Sequence, residues 1–276
     1  MHYHLGLNAG NILWILTFAA QLVLLVVLMG RDRIKRFPWF TASIAVIALR
    51  LLVAKLLFGR LPQITLAEIY IPMLDFSELV ALGVLVEVAR RSFAGASRRG
   101  WALGVLIVAV PAFATVALWG HWPPWNTLSA HSLMALLGMG QLAAQKLALF
   151  TDAATVVLGV LVVLLGARYG AGHRSHPQQI AIGLSTASLA QISAQAIWQM
   201  IVQSAAPHTL ADRQRVVAVG DRIFNANGAI YVLVIVWWII CMWYDEPGKG
   251  PAAEDAGDDE GNPGQGPTAV AGATAE

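Results

Sequence analysis

Ionisable side chains sit inside long apolar runs, among them Arg50 and Lys55; Glu68, Asp75 and Glu78; Lys146 and Asp152. Such groups are costly in a low-dielectric setting, so they mark ligand sites, proton relays or buried ion pairs. Helical spacing gives them shared directions. At 100° per residue, Glu68, Asp75 and Glu78 fall within about an 80° arc, with Pro72 close by. Gln145, Asp152 and Thr155 share a second face. Ser188, Gln191, Gln195, Gln199 and Gln203 recur at intervals of three and four and form a polar stripe. Asp221, Arg222, Asn225 and Asn227 open the last apolar run, followed by Gly228 and Tyr231.

The chemistry open to these residues is narrow. No H-E-x-x-H pair, P-loop or Gly-rich dinucleotide turn is present. His2 and His4 lack a third ligand, so no metal is expected. His121, His131, His173 and His176 fall in loops, leaving no base at membrane depth for a serine nucleophile. The last run has no lysine for a covalent retinal. Cys241 is the single cysteine, which rules out an internal disulfide. The residues therefore point to no catalytic group, no metal and no cofactor.

The elements that carry these side chains are transmembrane helices. The chain is 57% hydrophobic and only 12% charged, about half the charge of a soluble domain, with a mean hydropathy of +0.63. Runs of about 20 apolar residues are long enough to cross a bilayer. Seven are expected, near 11–29, 37–58, 66–89, 101–119, 141–166, 180–203 and 225–244, which makes an all-α polytopic seven-helix bundle over 1–244. Ser129–Gly166 is too long for one span, so a break is expected at Gly138-Met139-Gly140, after a short interfacial helix over Thr127–Leu137. Gly166-x-x-x-Gly170 reads as a helix stop. The first run lacks a basic lead and a cleavage site and reads as a retained helix.

Loop charges orient the bundle. Eleven bases fall in the loops after the first, third, fifth and seventh runs and four in the others, which places the N-terminus outside and the C-terminus in the cytoplasm. Trp119, Trp122 and Trp125 are expected at the outer interface, and Trp39, Trp101, Trp237, Trp238, Trp243 and Tyr244 at the inner one. Residues 245–276 hold eight of the sixteen acids and one of the eighteen bases, and are expected to form a disordered acidic cytoplasmic tail. The remainder carries +9, 17 bases against 8 acids. These bases border membrane spans, with no soluble module on which to read nucleic acid. The lipid bilayer is one partner, and the basic inner loops offer a surface to a cytoplasmic protein. The cell (inner or plasma) membrane is the expected location.

Asp75 and Glu78 cost about 5–7 kcal/mol on the insertion scale, and the apolar residues of that span return about 4–7. The third span therefore depends on its neighbours. Arg50 reaches the same depth and is expected to pair with Asp75 or Glu78. Lys55 and Lys146 should snorkel outward, and Glu87 should pair with Arg90 or Arg91 at a helix end. The fourth span is nearly devoid of polar side chains and is expected to be peripheral, kinked at Pro111.

Polar faces avoid lipid, so spans two, three, five, six and seven should converge on a cavity in the outer half. Its expected lining is Arg50, Asp75, Glu78, Asp152, Gln191, Gln195, Gln199 and Asn225. The leading expectation is non-enzymatic binding or sensing of a small polar or amphipathic ligand. A proton-coupled carrier using Asp75, Glu78 and Asp152 is the alternative, although no internal repeat supports it. An accessory or assembly subunit with a purely structural polar core is the third reading.

Overall fold

A computed structural model describes residues 9–119, 133–169, 175–205 and 210–244. The His2-Tyr3-His4 segment, Trp122, Trp125, His121, His131, His173 and the acidic tail lie outside them. The described residues form eight α-helices and one 3-10 turn: α1 (Ala9–Gly30), α2 (Arg33–Arg36), α3 (Pro38–Leu57), α4 (Gln63–Ser92), α5 (Arg98–Leu118), α6 (Leu133–Leu165), the turn Gly166–Tyr169, α7 (His176–Ala205) and α8 (Leu210–Trp243). All but α2 are long and apolar enough to cross a membrane.

Local chemistry sets the helix ends. Pro38 opens α3, where its missing N–H costs nothing. Gly59, at φ 77°, follows the end of α3 in the left-handed conformation that glycine adopts most easily. The Ser97 hydroxyl caps α5 by accepting the Gly100 N–H at 3.2 Å. The α6 helix stops at Leu165, and Gly166 begins the 3-10 turn, as the glycine spacing implies.

One boundary differs from expectation. No break occurs at Gly138-Met139-Gly140: α6 is continuous from Leu133 to Leu165, about 50 Å at 1.5 Å per residue. Gly140 faces Ile71 of α4, with 2.9 Å left for an added Cβ, so the glycine serves close helix approach and not a bend. The last helix likewise starts at Leu210 and not near 225, because backbone hydrogen bonding continues where the apolar run does not.

Six helices close a ring in the order α1, α3, α4, α6, α7, α8 and back to α1. Helix α5 stands outside, packed on α6 through Ala112, Ala153 and Ala154. Burial reflects this: 44% of the spanning window of α6 is buried, against 6% in α5. The outer faces carry exposed apolar side chains such as Val26, Leu118, Leu164 and Leu233, a surface suited to lipid and not water. The fold is that of an integral membrane protein.

The ring is solidly packed at one end only, the end bearing the basic 31–36 and 90–99 segments. Leu24, Leu28, Phe37, Val88, Ile180 and Met242 are fully buried there. Trp238 joins them at 1% exposure, edge-on to Phe40 at 5.1 Å, inside the ring and not on its outer surface. Gly183 makes room for it: a Cβ there would lie 2.3 Å from the indole nitrogen. Gly83 receives Trp39 and Gly220 receives Trp198 in the same manner. Glu87 bridges this end, accepting the Phe40 N–H at 3.0 Å and pairing with Arg91 at 3.6 Å. His176 begins α7 and lies against the Phe37 ring.

Candidate functional site

A cavity of about 900 Å³ occupies the ring above this packed end. On α7 its wall runs from Gln199 to Ala181, about 27 Å along the axis. Three layers follow one another. Trp119, Trp198, Gln199 and Phe224 stand farthest from the packed end, with the Trp198 and Phe224 rings 6.2 Å apart. The middle layer is polar: Arg50, Glu78, Gln191, Asn227, Asp152 and Tyr231. The deepest is apolar, with Ile44, Leu158, Ala181, Leu184 and Trp238.

Hydrogen bonds hold the middle layer across helices. The Ser188 hydroxyl donates to Asp152 Oδ1 at 2.7 Å, tying α7 to α6. Asn227 Nδ2 donates to Gln191 Oε1, tying α8 to α7. Gln21 of α1 donates to the Tyr231 hydroxyl at 3.3 Å. Arg50 departs from expectation. Its Nη1 donates to Ser77 Oγ at 2.8 Å, and neither Asp75 nor Glu78 is its ion-pair partner. Ser77 in turn donates to the Leu74 carbonyl at 2.8 Å, so Arg50 meets α4 between the two carboxylates. The Lys146 ammonium donates to the carbonyls of Val116 and Trp119 at the end of α5, where a cation complements the helix terminus. Lys55 reaches Asn11 at 3.0 Å and lies over the Trp14 ring.

Of the residues expected to line the site, Arg50, Glu78, Asp152, Gln191, Gln195 and Gln199 share this cavity. Asp75 and Asn225 are not among its lining residues. Asp75 lies with Glu68 in a separate groove of about 520 Å³ between α4 and α6, with Pro72, Leu136 and Gly140. The α6 helix packs across the acidic arc of α4, so Glu78, about 60° farther round the helix, faces inward and Asp75 does not. Asn225 lies against Gly10 of α1, where a Cβ would meet its Oδ1 at 3.8 Å.

Sequence reasoning left Asn227 out of the expected lining, although it turned the polar start of the last run toward the cavity, and it missed Trp198 and Phe224. A helical wheel centred on Tyr231 carries the missing signal, since 224, 227, 228, 231 and 238 share its face. Trp198 lies on the same helical face as Gln191 and Gln195, and Gly220 makes room for its ring.

Charged, amide and aromatic groups over an apolar floor suit reversible binding. Cys241 contacts Gln179 Oε1 at 3.7 Å and does not line the cavity. Among the described residues, no three His, Cys, Asp or Glu side chains gather to hold a metal ion. The class defined is an integral membrane bundle of seven helices long and apolar enough to span a membrane, six of them ringed around a polar cavity. No known family matches the chain, and neither a curated protein nor a solved structure matches it.

Proposed function

We propose that the protein binds a small polar or amphipathic ligand, without catalysis, in the cavity lined by Arg50, Glu78, Asp152, Gln191, Gln195 and Gln199. The observation that carries this reading is the cavity itself, about 900 Å³ with convergent polar groups over an apolar floor, the size and chemistry of small-molecule sites. A purely structural polar core would be expected to close on itself, pairing its groups instead of enclosing this volume. The bundle sits in the cell membrane with its N-terminus outside and the cavity toward the outer face. The packed basic end faces the cytoplasm, where the loops of 31–36 and 90–99 offer a partner its contact surface.

A thermal-shift screen on the purified full chain in detergent tests this reading. A compound at about 100 times its Kd stabilises the folded state by about 2.7 kcal/mol, a shift of several degrees. Glu78→Gln, on the cavity wall, is expected to reduce the shift. A broad panel of cations, anions and neutral amphiphiles without a hit refutes ligand binding and favours the accessory-subunit reading.

A carrier is the second reading, favoured by Asp75 and Glu78 standing one turn apart on opposite sides of the α4–α6 seam. Asp75→Asn or Glu78→Gln should then abolish pH-dependent uptake into reconstituted vesicles. Unchanged uptake refutes the relay.

A further inference from the structure

We infer that the ligand is an amphiphilic organic cation, a primary ammonium on an apolar body, with its head between Glu78 and Asp152. This rests on the cavity being a ligand site. Four groups of formal charge line the cavity: Arg50, Lys146, Glu78 and Asp152. The two cations are engaged elsewhere, Arg50 with Ser77 and Lys146 with carbonyls at the end of α5. Neither carboxylate forms an ion pair with them among the described residues, although the Arg50 charge acts on Glu78. Asp152 accepts one hydrogen bond, from Ser188 to Oδ1. Glu78 has neither a hydrogen bond nor an ion pair among the described residues. Two carboxylates from neighbouring helices thus face one enclosed volume with acceptor capacity unspent.

Thr155 adds a further hydroxyl to the same face. It lies one turn below Asp152, lines the cavity and is 7% exposed, yet its hydroxyl makes no hydrogen bond among the described residues. An ammonium N–H can satisfy that oxygen and both carboxylates, whereas an anion would be repelled by the pair.

The surroundings define the rest of the molecule. Below Ser188 the wall turns apolar through Leu184 to Ala181, a well about 10 Å deep. A sugar or other fully hydrated solute would waste that surface, and an alkyl or aryl-alkyl body would use it. Above the carboxylates, Trp198 and Phe224 present aromatic rings along the way in, which attract a passing cation.

Isothermal titration calorimetry at neutral pH on the full chain in detergent tests this with three probes of matched shape: phenylbutylamine, its neutral analogue pentylbenzene and its anionic analogue phenylpentanoate. The amine is expected to bind at least tenfold tighter than either analogue. Glu78→Gln and Asp152→Asn should each weaken it about tenfold or more, and Glu68→Gln, in the separate groove, should leave it unchanged. Glu78→Gln removes an unpaired carboxylate, so its melting temperature should hold or rise, which separates lost binding from lost folding. Tighter binding of the neutral or anionic probe overturns the cation inference while leaving the cavity a ligand site. Amine binding unchanged in both carboxylate variants also overturns it. No heat from any of the three overturns the cation inference, and the broad thermal-shift panel then decides the ligand site separately.

Discussion

Replacing Gly159 by alanine tests whether the α6–α7 seam positions Asp152. A Cβ on Gly159 would lie 1.7 Å from Ser185 Oγ and 2.7 Å from Ser185 Cβ. Rotating the hydroxyl relieves the first contact but not the second. Carbon atoms need about 3.5–4.0 Å, so the helices must part by about 1 Å. Ser185 Oγ now donates at 3.0 Å to the Thr155 carbonyl across the seam, and Ser188 donates to Asp152 at 2.7 Å one turn away. Parting by that amount takes the Ser188–Asp152 distance beyond hydrogen-bonding range. Overpacking costs about 1–3 kcal/mol, and a hydrogen bond to a charged group about 1.5–3. The expected loss is roughly 2.5–6 kcal/mol, a fall of about 5–24 °C in melting temperature. Thermal unfolding of the detergent-solubilised protein measures it. Adding Ser185→Gly removes both clashing atoms, so the double variant should melt above Gly159→Ala, even though Ser185→Gly alone destabilises. A melting temperature for Gly159→Ala within about 1 °C of the parent refutes the argument. So does a double variant no more stable than the single.

Three other perturbations probe the rest of the bundle. Trp238→Ala, which empties the space between Gly183 and Phe40, should cost about 3–5 kcal/mol by denaturant unfolding; a loss below about 1 kcal/mol contradicts its role as the floor. Glu87→Ala removes the acceptor of the Phe40 N–H and the Arg91 partner, and should lower stability by about 1.5–3 kcal/mol. Glu87→Gln should lose less if the amide oxygen still accepts; equal losses would mean that the charge and not the hydrogen bond matters. Reporter fusions after Arg36, Trp125 and Asp245 should read inside, outside and inside, and any other order refutes the proposed orientation.

Much of the site was legible because a helix repeats every 3.6 residues and lipid excludes polar groups. Those two facts place Gln191, Gln195 and Gln199 on one face and turn that face inward, as the cavity wall has them. The same logic assigns α5 to the periphery from its lack of polar side chains. It fails where two helices compete for one polar arc. Glu68, Asp75 and Glu78 share a helical face, but α6 crosses it and divides them between groove and cavity. It fails again at Arg50, where depth matching named Asp75 or Glu78 as the partner and the guanidinium meets Ser77. Depth locates a side chain along the axis but not around it.

The sequence by itself determined an all-helical membrane bundle with seven apolar spans, since only a helix satisfies its own backbone within lipid. It also determined the polar stripes, because their period belongs to each helix alone. Tertiary structure decided which stripes meet. It set the ring order, left α5 outside, ran α6 unbroken through Gly138 and sank Trp238 into the packed end. These outcomes depend on how closely two helices approach, and that is governed by pairs such as Gly183 with Trp238 and Gly159 with Ser185, distant in sequence. Periodicity describes one helix; complementarity of shape exists only between two.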